Sequence, residues 1–264
     1  MPSFVVFTDI DGTIVDENYS YKGALPALEL IKRKKIPLVF CTSKTRAEIE
    51  IYRDELGIKD PFISENGGAI FIPVGIFGKT VSEKITNGYE VIELGTPYVK
   101  LRETLKRVSN LTGCKITGFG DMSVEEISKD SGLDPKDAEL AKRREYDEPF
   151  RIVGTEEQIG KALELIRAHN LNYTKGGRYY HILGDNDKGK AVRILTEIYR
   201  SKNPGIKTIG LGDSYNDIPM LENVDIPVLI KRPDNFIKFR GAIRSTLIGP
   251  DGWSEILLKL IPEN

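Results

Sequence analysis

The chain has 264 residues, enough for one large domain or two modest ones. Apolar residues make up 40% and charged residues 29%, and the formal net charge is -1, so neither nucleic acid nor an anionic membrane is expected as partner. No apolar run approaches the roughly 18 residues of a membrane span. The N-terminus carries neither the basic region nor the cleavage site of a signal peptide, and Cys41 and Cys114 read as two separate buried thiols. A cytoplasmic protein is expected, with its oligomeric state left open.

Phe4 to Phe7 is a short apolar run ending in Thr8-Asp9, and Ile36 to Cys41 is a second, ending in Thr42. Between them Ala24 to Lys35 has helical character. Thr45 with Glu48 three residues on forms a capping box, and Gly57 is placed to stop that helix. Phe62-Ile63 and Ala69 to Ile72 flank Glu65-Asn66-Gly67-Gly68 as a hairpin. A second series follows, with a strand at Glu90 to Leu94 and a helix at Tyr98 to Leu111. After it come strands at Lys115 to Gly118 and Pro149 to Val153, capping boxes at Ser123 and Thr155, and a hairpin around Gly176-Gly177. The opening pattern then returns: Asp187 caps a helix, Thr208 to Leu211 and Asp225 to Ile230 are strands, and Gly252 to Leu260 closes as a helix. The expected fold is α/β, a Rossmann-like parallel-sheet core of residues 1–83 and 186–264 interrupted by an α+β cap domain of residues 84–185. Glycine-containing joints near Gly88 and Gly184 would let the cap close over the core.

Asp9-Ile10-Asp11-Gly12-Thr13 directly follows the first strand, where ligands of open α/β sheets bind. A solvated Asx-Gly turn would read the same way. An EF-hand would not, because Gly12 is fourth rather than sixth and Ser20 occupies the twelfth position. Gly212-Asp213-Ser214-Tyr215-Asn216-Asp217 likewise follows a strand; alone it could be a helix-capping loop, and it lacks the third glycine of a dinucleotide fingerprint. Together the two clusters gather carboxylates that repel unless a hard cation sits among them, and oxygen-only ligation suits Mg²⁺. Thr42-Ser43 precedes a helix, where hydroxyls serve as caps or as a phosphate site. Lys188 lies in a first helical turn, where a cation opposes the helix dipole unless an anion is near; a solvated lysine beside Asp185 and Asp187 is the alternative.

These segments, with Asp187-Lys188-Gly189-Lys190-Ala191, resemble in order and spacing the haloacid dehalogenase-like hydrolase superfamily, and the insertion of roughly 100 residues resembles the large α/β cap of one branch. The resemblance implies a phosphatase in which Asp9 attacks phosphorus and carries the phosphoryl group, while Asp11 protonates the leaving oxygen and then activates water. Thr42 and Ser43 would hold the transferring phosphoryl and Lys188 would offset its charge. Mg²⁺ would sit on Asp9, the Asp11 carbonyl and Asp213, with Asn216 and Asp217 in support; replacement by Co²⁺ or Mn²⁺ stays open.

Thr42-Ser43-Lys44-Thr45-Arg46, Glu65 to Gly68, Arg144 to Glu148 and Gly176 to His181 are similar to segments of the mannosyl-3-phosphoglycerate phosphatases, which make mannosylglycerate, a compatible solute. The commoner sugar-phosphate relatives carry Thr-Gly-Arg where this chain has Thr42-Ser43-Lys44. That likeness implies a small phosphorylated glycoside as substrate, its anions held by Lys44, Arg46, Arg144 and Arg178 and its hydroxyls by Asn66, Asp147, Glu148, Tyr180 and His181. Gly67, Gly68 and Gly177 would line the same pocket. Lys142-Arg143-Arg144 could equally be a charged helix face. The rival readings are a broader sugar phosphatase (glucosyl-3-phosphoglycerate or sucrose-phosphate-like), a phosphomutase, or a non-catalytic sugar-phosphate binder. A serine hydrolase fits poorly: there is no Gly-x-Ser-x-Gly, and only His169 and His181 could be the base.

Overall fold

The computed structural model of the protein describes residues 3–175, 178–234 and 237–263. Strand β1 (Phe4–Thr8) leads through α1 (Leu25–Lys34) to β2 (Leu38–Phe40) and α2 (Arg46–Leu56). Helix α2 begins where expected: the Thr45 hydroxyl accepts from the Glu48 N–H, the Glu48 carboxylate accepts from the Thr45 N–H, and Gly57 closes the helix in the left-handed conformation. A hairpin of β3 (Phe62–Ser64) and β4 (Ala69–Pro73) is extended by β5 (Ile85–Thr86) and β6 (Tyr89–Glu93).

The inserted region then runs α3 (Tyr98–Thr112), β7 (Lys115–Gly118), α4 (Val124–Ser131), α5 (Pro135–Ala141), β8 (Asp147–Val153), α6 (Glu156–Ala168), β9 (Asn172–Lys175) and β10 (Tyr180–Leu183). The chain returns through α7 (Lys188–Lys202), β11 (Lys207–Gly212), α8 (Ile218–Glu222), β12 (Ile226–Lys231), β13 (Ile243–Ile248) and α9 (Gly249–Leu260). The β9–β10 hairpin is antiparallel as expected, while its Gly176-Gly177 turn lies outside the described residues.

The core sheet is parallel throughout, in the order β13-β12-β11-β1-β2. Both faces are covered, so its central strands are apolar on both sides. Val6 packs with Leu30, Ile31 and Trp253 on the α1/α9 face, and Val5 and Phe7 pack with Ala191, Leu195 and Met220 on the α7/α8 face. Because β1 is followed by β2 on one side and flanked by β11 on the other, the connection reverses direction around it. That switch point opens a crevice beyond the carboxyl ends of the strands, where Asp9, Thr42 and Asp213 all emerge.

The cap sheet, ordered β7-β8-β10-β9, is antiparallel and one-sided. Phe150, Ile152 and Ile182 face α3 and α6, where Leu101, Leu105, Ala162 and Ile166 complete a separate apolar cluster. The alternation of β-strand side chains leaves Asp147, Pro149, His181 and Tyr179 on the other side, toward the core.

The expected cap boundary at residue 84 cuts through one sheet. Tyr89–Glu93 is hydrogen-bonded along its length to Ala69–Pro73, so the β3-β4-β6-β5 sheet stays whole and the chain leaves it at Leu94-Gly95. Gly88 accordingly sits in a hairpin turn within that sheet rather than at a joint, whereas Gly184 packs against Thr96 where the two connecting segments lie side by side. The turn residues Glu65 to Gly68 also serve a different purpose from a simple hairpin. Glu65 (φ 47°), Asn66 (φ 55°) and Gly67 (φ 84°) are consecutive left-handed residues, an arrangement costing about 1 kcal/mol or more at each non-glycine position.

The two glycines of this turn are sites of close approach. A Cβ on Gly67 would collide with the Asp187 carbonyl, and one on Gly68 would lie 2.5 Å from Cβ of Tyr146. Gly67→Ala should therefore lower the thermal unfolding midpoint by on the order of 5 °C. An unchanged midpoint in a melt at neutral pH would mean that the turn and the start of α7 can separate without cost.

Candidate active site

Asp9, Asp213 and Asp217 bring carboxylate oxygens within 4.8 Å of one another, and all three are buried. Lys188 enters from the first turn of α7 and is almost fully buried, its Nζ 2.9 Å from Asp9 Oδ1 and 2.6 Å from Asp217 Oδ1. This resolves its position against the helix dipole: two carboxylates, not solvent, face the ammonium. Burial opposes its charge, yet Asp217 and Asp9 outweigh that and hold the lysine above its usual value.

The scaffold around Asp9 is equally specific. The Trp253 indole N–H donates to Thr8 Oγ1 at 3.0 Å, the Thr8 hydroxyl donates to the Asp9 carbonyl at 2.8 Å, and the Asp9 N–H reaches the Leu211 carbonyl. A residue on α9 thus fixes the backbone of the strand end that presents Asp9. Thr13 donates to Asp213 Oδ1 and Arg232 to Asp213 Oδ2, both at 3.2 Å.

Three carboxylates against one buried ammonium leave an excess of negative charge, and each buried ion costs on the order of several kcal/mol in lost hydration. Burial pushes the Asp9 carboxyl up to about 7, with Lys188 pulling it down and Asp217 and Asp11 pushing it further up. Burial, with Asp217 and Asp9 beside it, raises Asp213 well above the ordinary carboxylate range. A hard divalent cation among these oxygens would relieve both, and the donor set fits one. Asp9 and Asp213 are placed to hold it. Asp217 is already committed: Oδ1 takes Lys188, and Oδ2 takes the N–H groups of Asp213 and Ser214. Asn216 points its amide at Ser214 and Asn66. Asp217 therefore supports the cluster from behind, and Asn216 from the cavity wall.

A cavity of about 810 Å³ opens in front of it, between core and cap. Asp9, Asp11, Ser43, Lys44, Arg144, Arg178, His181, Asp213, Asn216 and Arg232 are among the residues that line it. Asp11 faces this space and is ion-paired with Lys44 at 3.0 Å; Lys44 also lies 3.6 Å from Glu48. Burial disfavours the Lys44 charge, but Asp11 and Glu48 hold it above its usual value. Thr42 is fully buried at the end of β2, its hydroxyl accepting from the Lys44 N–H at 3.3 Å. Arg144 reaches from the cap to donate to the Ser43 carbonyl at 2.7 Å, and Arg178 is held at the cavity wall by the carbonyls of Asp130 and Ser131.

Several residues expected around the substrate have other duties. Strand alternation turns Glu148 and Tyr180 to the helix-covered face of the cap sheet. Glu148 is fully buried and accepts from Arg102, Tyr98 and the Gly120 N–H, while Tyr180 stacks on Phe150. Neither lines the cavity. Arg46 turns into the seam between core and cap, paired with Glu50 and Glu145. Asn66 and Asp147 are buried and hydrogen-bonded to each other at 2.7 Å. Gly67 and Gly68 make room for Asp187 and Tyr146, and Gly177 lies outside the described residues.

Three contributors went unforeseen. Arg232 follows β12 at the same edge of the sheet as Asp213, so a basic residue at a strand end was the available signal. Tyr19 lines the cavity from a left-handed position (φ 59°) with the Lys44 ammonium 5.4 Å from its ring, and no local pattern marks it. Glu65, read as a turn residue, is fully buried and accepts from the N–H groups of Glu145 and Tyr146, tying the core to the cap.

With this geometry in place, residues 6–238 match the haloacid dehalogenase-like hydrolase family, and the chain belongs to it. It is 55% identical to a glucosyl-3-phosphoglycerate/mannosyl-3-phosphoglycerate phosphatase of Methanococcoides burtonii, over 98% of each chain. It is 43% identical to a protein of the same description from Persephonella marina, over 98% of this chain and 97% of that one. Among solved structures, a haloacid dehalogenase-like hydrolase from B. subtilis superposes with a TM-score of 0.68 at 18% identity, covering 97% of this chain and 99% of the other. The protein is a phosphatase of this family. Among the described residues no helix is long and apolar enough to cross a membrane.

Burial pushes the Glu65 carboxyl up to about 8, against the pull of Arg144 and the Tyr146 N–H. A carboxyl raised in the folded state contributes stability that is full below its ordinary pKa and is lost as pH rises through its folded value. The unfolding midpoint of the wild type should therefore fall more steeply between about pH 5 and about pH 9 than that of Glu65→Gln, whose amide oxygen can still accept both N–H groups. Identical pH slopes in thermal melts would show that Glu65 takes up no proton in this range.

Proposed function

We propose that this protein hydrolyses glucosyl-3-phosphoglycerate and mannosyl-3-phosphoglycerate to the glycosylglycerate and inorganic phosphate, with Mg²⁺ as its cation, in the synthesis of a compatible solute. The observation that carries the reading is the full-length 55% identity to a relative described by both substrates, joined to a complete nucleophile, acid and lysine set in the crevice. The residues facing the cavity suit such a molecule. Lys44, Arg144, Arg178 and Arg232 supply positive charge for a phosphate and a carboxylate, and His181 and Tyr179 offer polar edges for sugar hydroxyls.

In the first half-reaction an Asp9 carboxylate oxygen attacks phosphorus. The bond between phosphorus and the glyceryl oxygen breaks as Asp11 gives its proton to the leaving alkoxide. In the second, Asp11 takes a proton from water as that oxygen attacks the phosphoryl group, the bond from phosphorus to Asp9 breaks, and phosphate departs. Bound Mg²⁺ would supply charge neutralisation at the phosphoryl oxygens. Lys188 lowers the repulsion between Asp9 and a phosphate dianion, and Asp217 holds that lysine in place. Thr42 would donate its hydroxyl proton to a phosphoryl oxygen. Lys44 lies 3.0 Å from Asp11 Oδ1 and holds that carboxyl group beside the cavity.

Phosphate release from a panel of sugar phosphates and glycosyl-phosphoglycerates, with Mg²⁺ and with EDTA, tests this directly. The two glycosyl-3-phosphoglycerates should be preferred, EDTA should abolish turnover, and Asp9→Asn should reduce kcat by at least about 10³-fold. Comparable turnover of simple hexose phosphates would remove the substrate assignment, and activity surviving in Asp9→Asn would remove the nucleophile.

A further inference from the structure

Asn66 stands between the cap and the loop behind the nucleophile. Its side chain is almost fully buried, and its backbone is pinned to the core by N–H donation to the Thr42 carbonyl at 2.9 Å. Its amide nitrogen donates to Asp147 Oδ2 at 2.7 Å, while its amide oxygen accepts from Asn216 Nδ2 at 3.0 Å. The opposite orientation would set the Asn66 oxygen against a carboxylate and its NH₂ against another NH₂, so the network admits one arrangement. On the cap side, Asp147 Oδ1 lies 2.8 Å from His181 Nδ1. Burial penalises the Asp147 charge, but His181, Arg144 and Asn66 together hold its carboxyl below the usual range, so it accepts. His181 Nδ1 must then be the donor, and Nε2 is left without a protein partner among the described residues, on a side chain that lines the cavity. On the core side, the Ser214 hydroxyl donates to Asn216 Oδ1 and the Ser214 backbone N–H to Asp217 Oδ2, and Asp217 holds Lys188.

One unbroken chain of hydrogen bonds thus joins a ring nitrogen at the cap wall to the lysine on the nucleophile, and Asn66 is the residue of that chain that crosses the seam. We propose that Asn66 is a positioning residue that couples the cap-side contact made at His181 to the alignment of the loop holding Lys188, so that His181 affects the rate of phosphoryl transfer as well as binding. Its ligand is a hydrogen-bonding group on the part of the phosphate ester remote from phosphorus. The strained turn is consistent with this: two successive left-handed non-glycine residues, Glu65 and Asn66, are held in place by bonds to the cap segment 145–147. The inference rests on the phosphatase reading but not on the identity of the glycoside.

The test is a double-mutant cycle on the wild-type chain, using whichever ester the panel turns over fastest, so that a failed substrate assignment leaves it intact. His181→Ala removes the cavity contact. Asn66→Gly removes the link while keeping a residue that adopts the left-handed conformation freely. His181→Ala should lower kcat by about tenfold in the wild-type background and by less than about twofold in the Asn66→Gly background, while raising KM in both. Equal kcat losses in the two backgrounds, or an effect of His181→Ala confined to KM, would overturn the proposal. If Asn66→Gly fails to fold, Asp147→Asn serves as the second background, because an amide offers one acceptor where the carboxylate serves two donors; the same comparison decides.

Discussion

The ammonium of Lys188, buried among carboxylates, is the contact on which the rest of the site is arranged. An ion taken fully out of water must be met by opposite charge at hydrogen-bond distance, and Asp9 and Asp217 meet this one at 2.9 and 2.6 Å. The helix that carries it has to start at that point, which Asp187 ensures by capping the Lys190 N–H. The glycine turn 67–68 has to leave space for that start, and does so by having no side chain against the Asp187 carbonyl. Asp217 has to be held still, and the Lys188 ammonium and two backbone N–H groups hold it. The remaining negative charge on Asp9 and Asp213 is what a divalent cation and a phosphoryl centre can use.

The contact between core and cap is polar rather than greasy. Arg144 to the Ser43 carbonyl, Thr45 to the Leu140 carbonyl, Glu65 to the 145–146 amides and Asn66 to Asp147 are all directional bonds between buried or half-buried groups. Such a seam fixes orientation closely without the large apolar surface that would lock two domains together permanently. Each unit instead keeps its own apolar cluster, that of the cap lying under its sheet against α3 and α6. Tyr146 of the inserted region packs into the core's cluster where the two meet, and the residues that line the cavity come from both.

Much of this was legible along the chain. The capping boxes at Thr45, Ser123 and Thr155 and the cap at Asp187 use residues within four positions of each other, so local sequence decides them. The apolar runs that end in Asp9, Thr42 and Asp213 belong to one parallel sheet, whose geometry places the three ends together. Less legible were β13, whose side chains are mostly exposed and so carry little periodic signal, and the pairing of β6 with β4, which depends on a partner roughly 20 residues away.

The sequence by itself determined the residue types of the site and their order: the nucleophile and its neighbouring acid, the lysine, the acidic loop and an inserted unit large enough to cover them. These follow from local patterns and from the rule that ligands bind at strand ends. Only the tertiary structure decided which cap residues face the cavity. Strand alternation sends Asp147 and His181 toward the core and Glu148 and Tyr180 away from it, and a register change of one residue would reverse that choice. It likewise decided that Arg232 reaches Asp213, a contact spanning 19 residues of sequence, and that the Asn66 side chain meets Asp147 and Asn216 rather than open cavity.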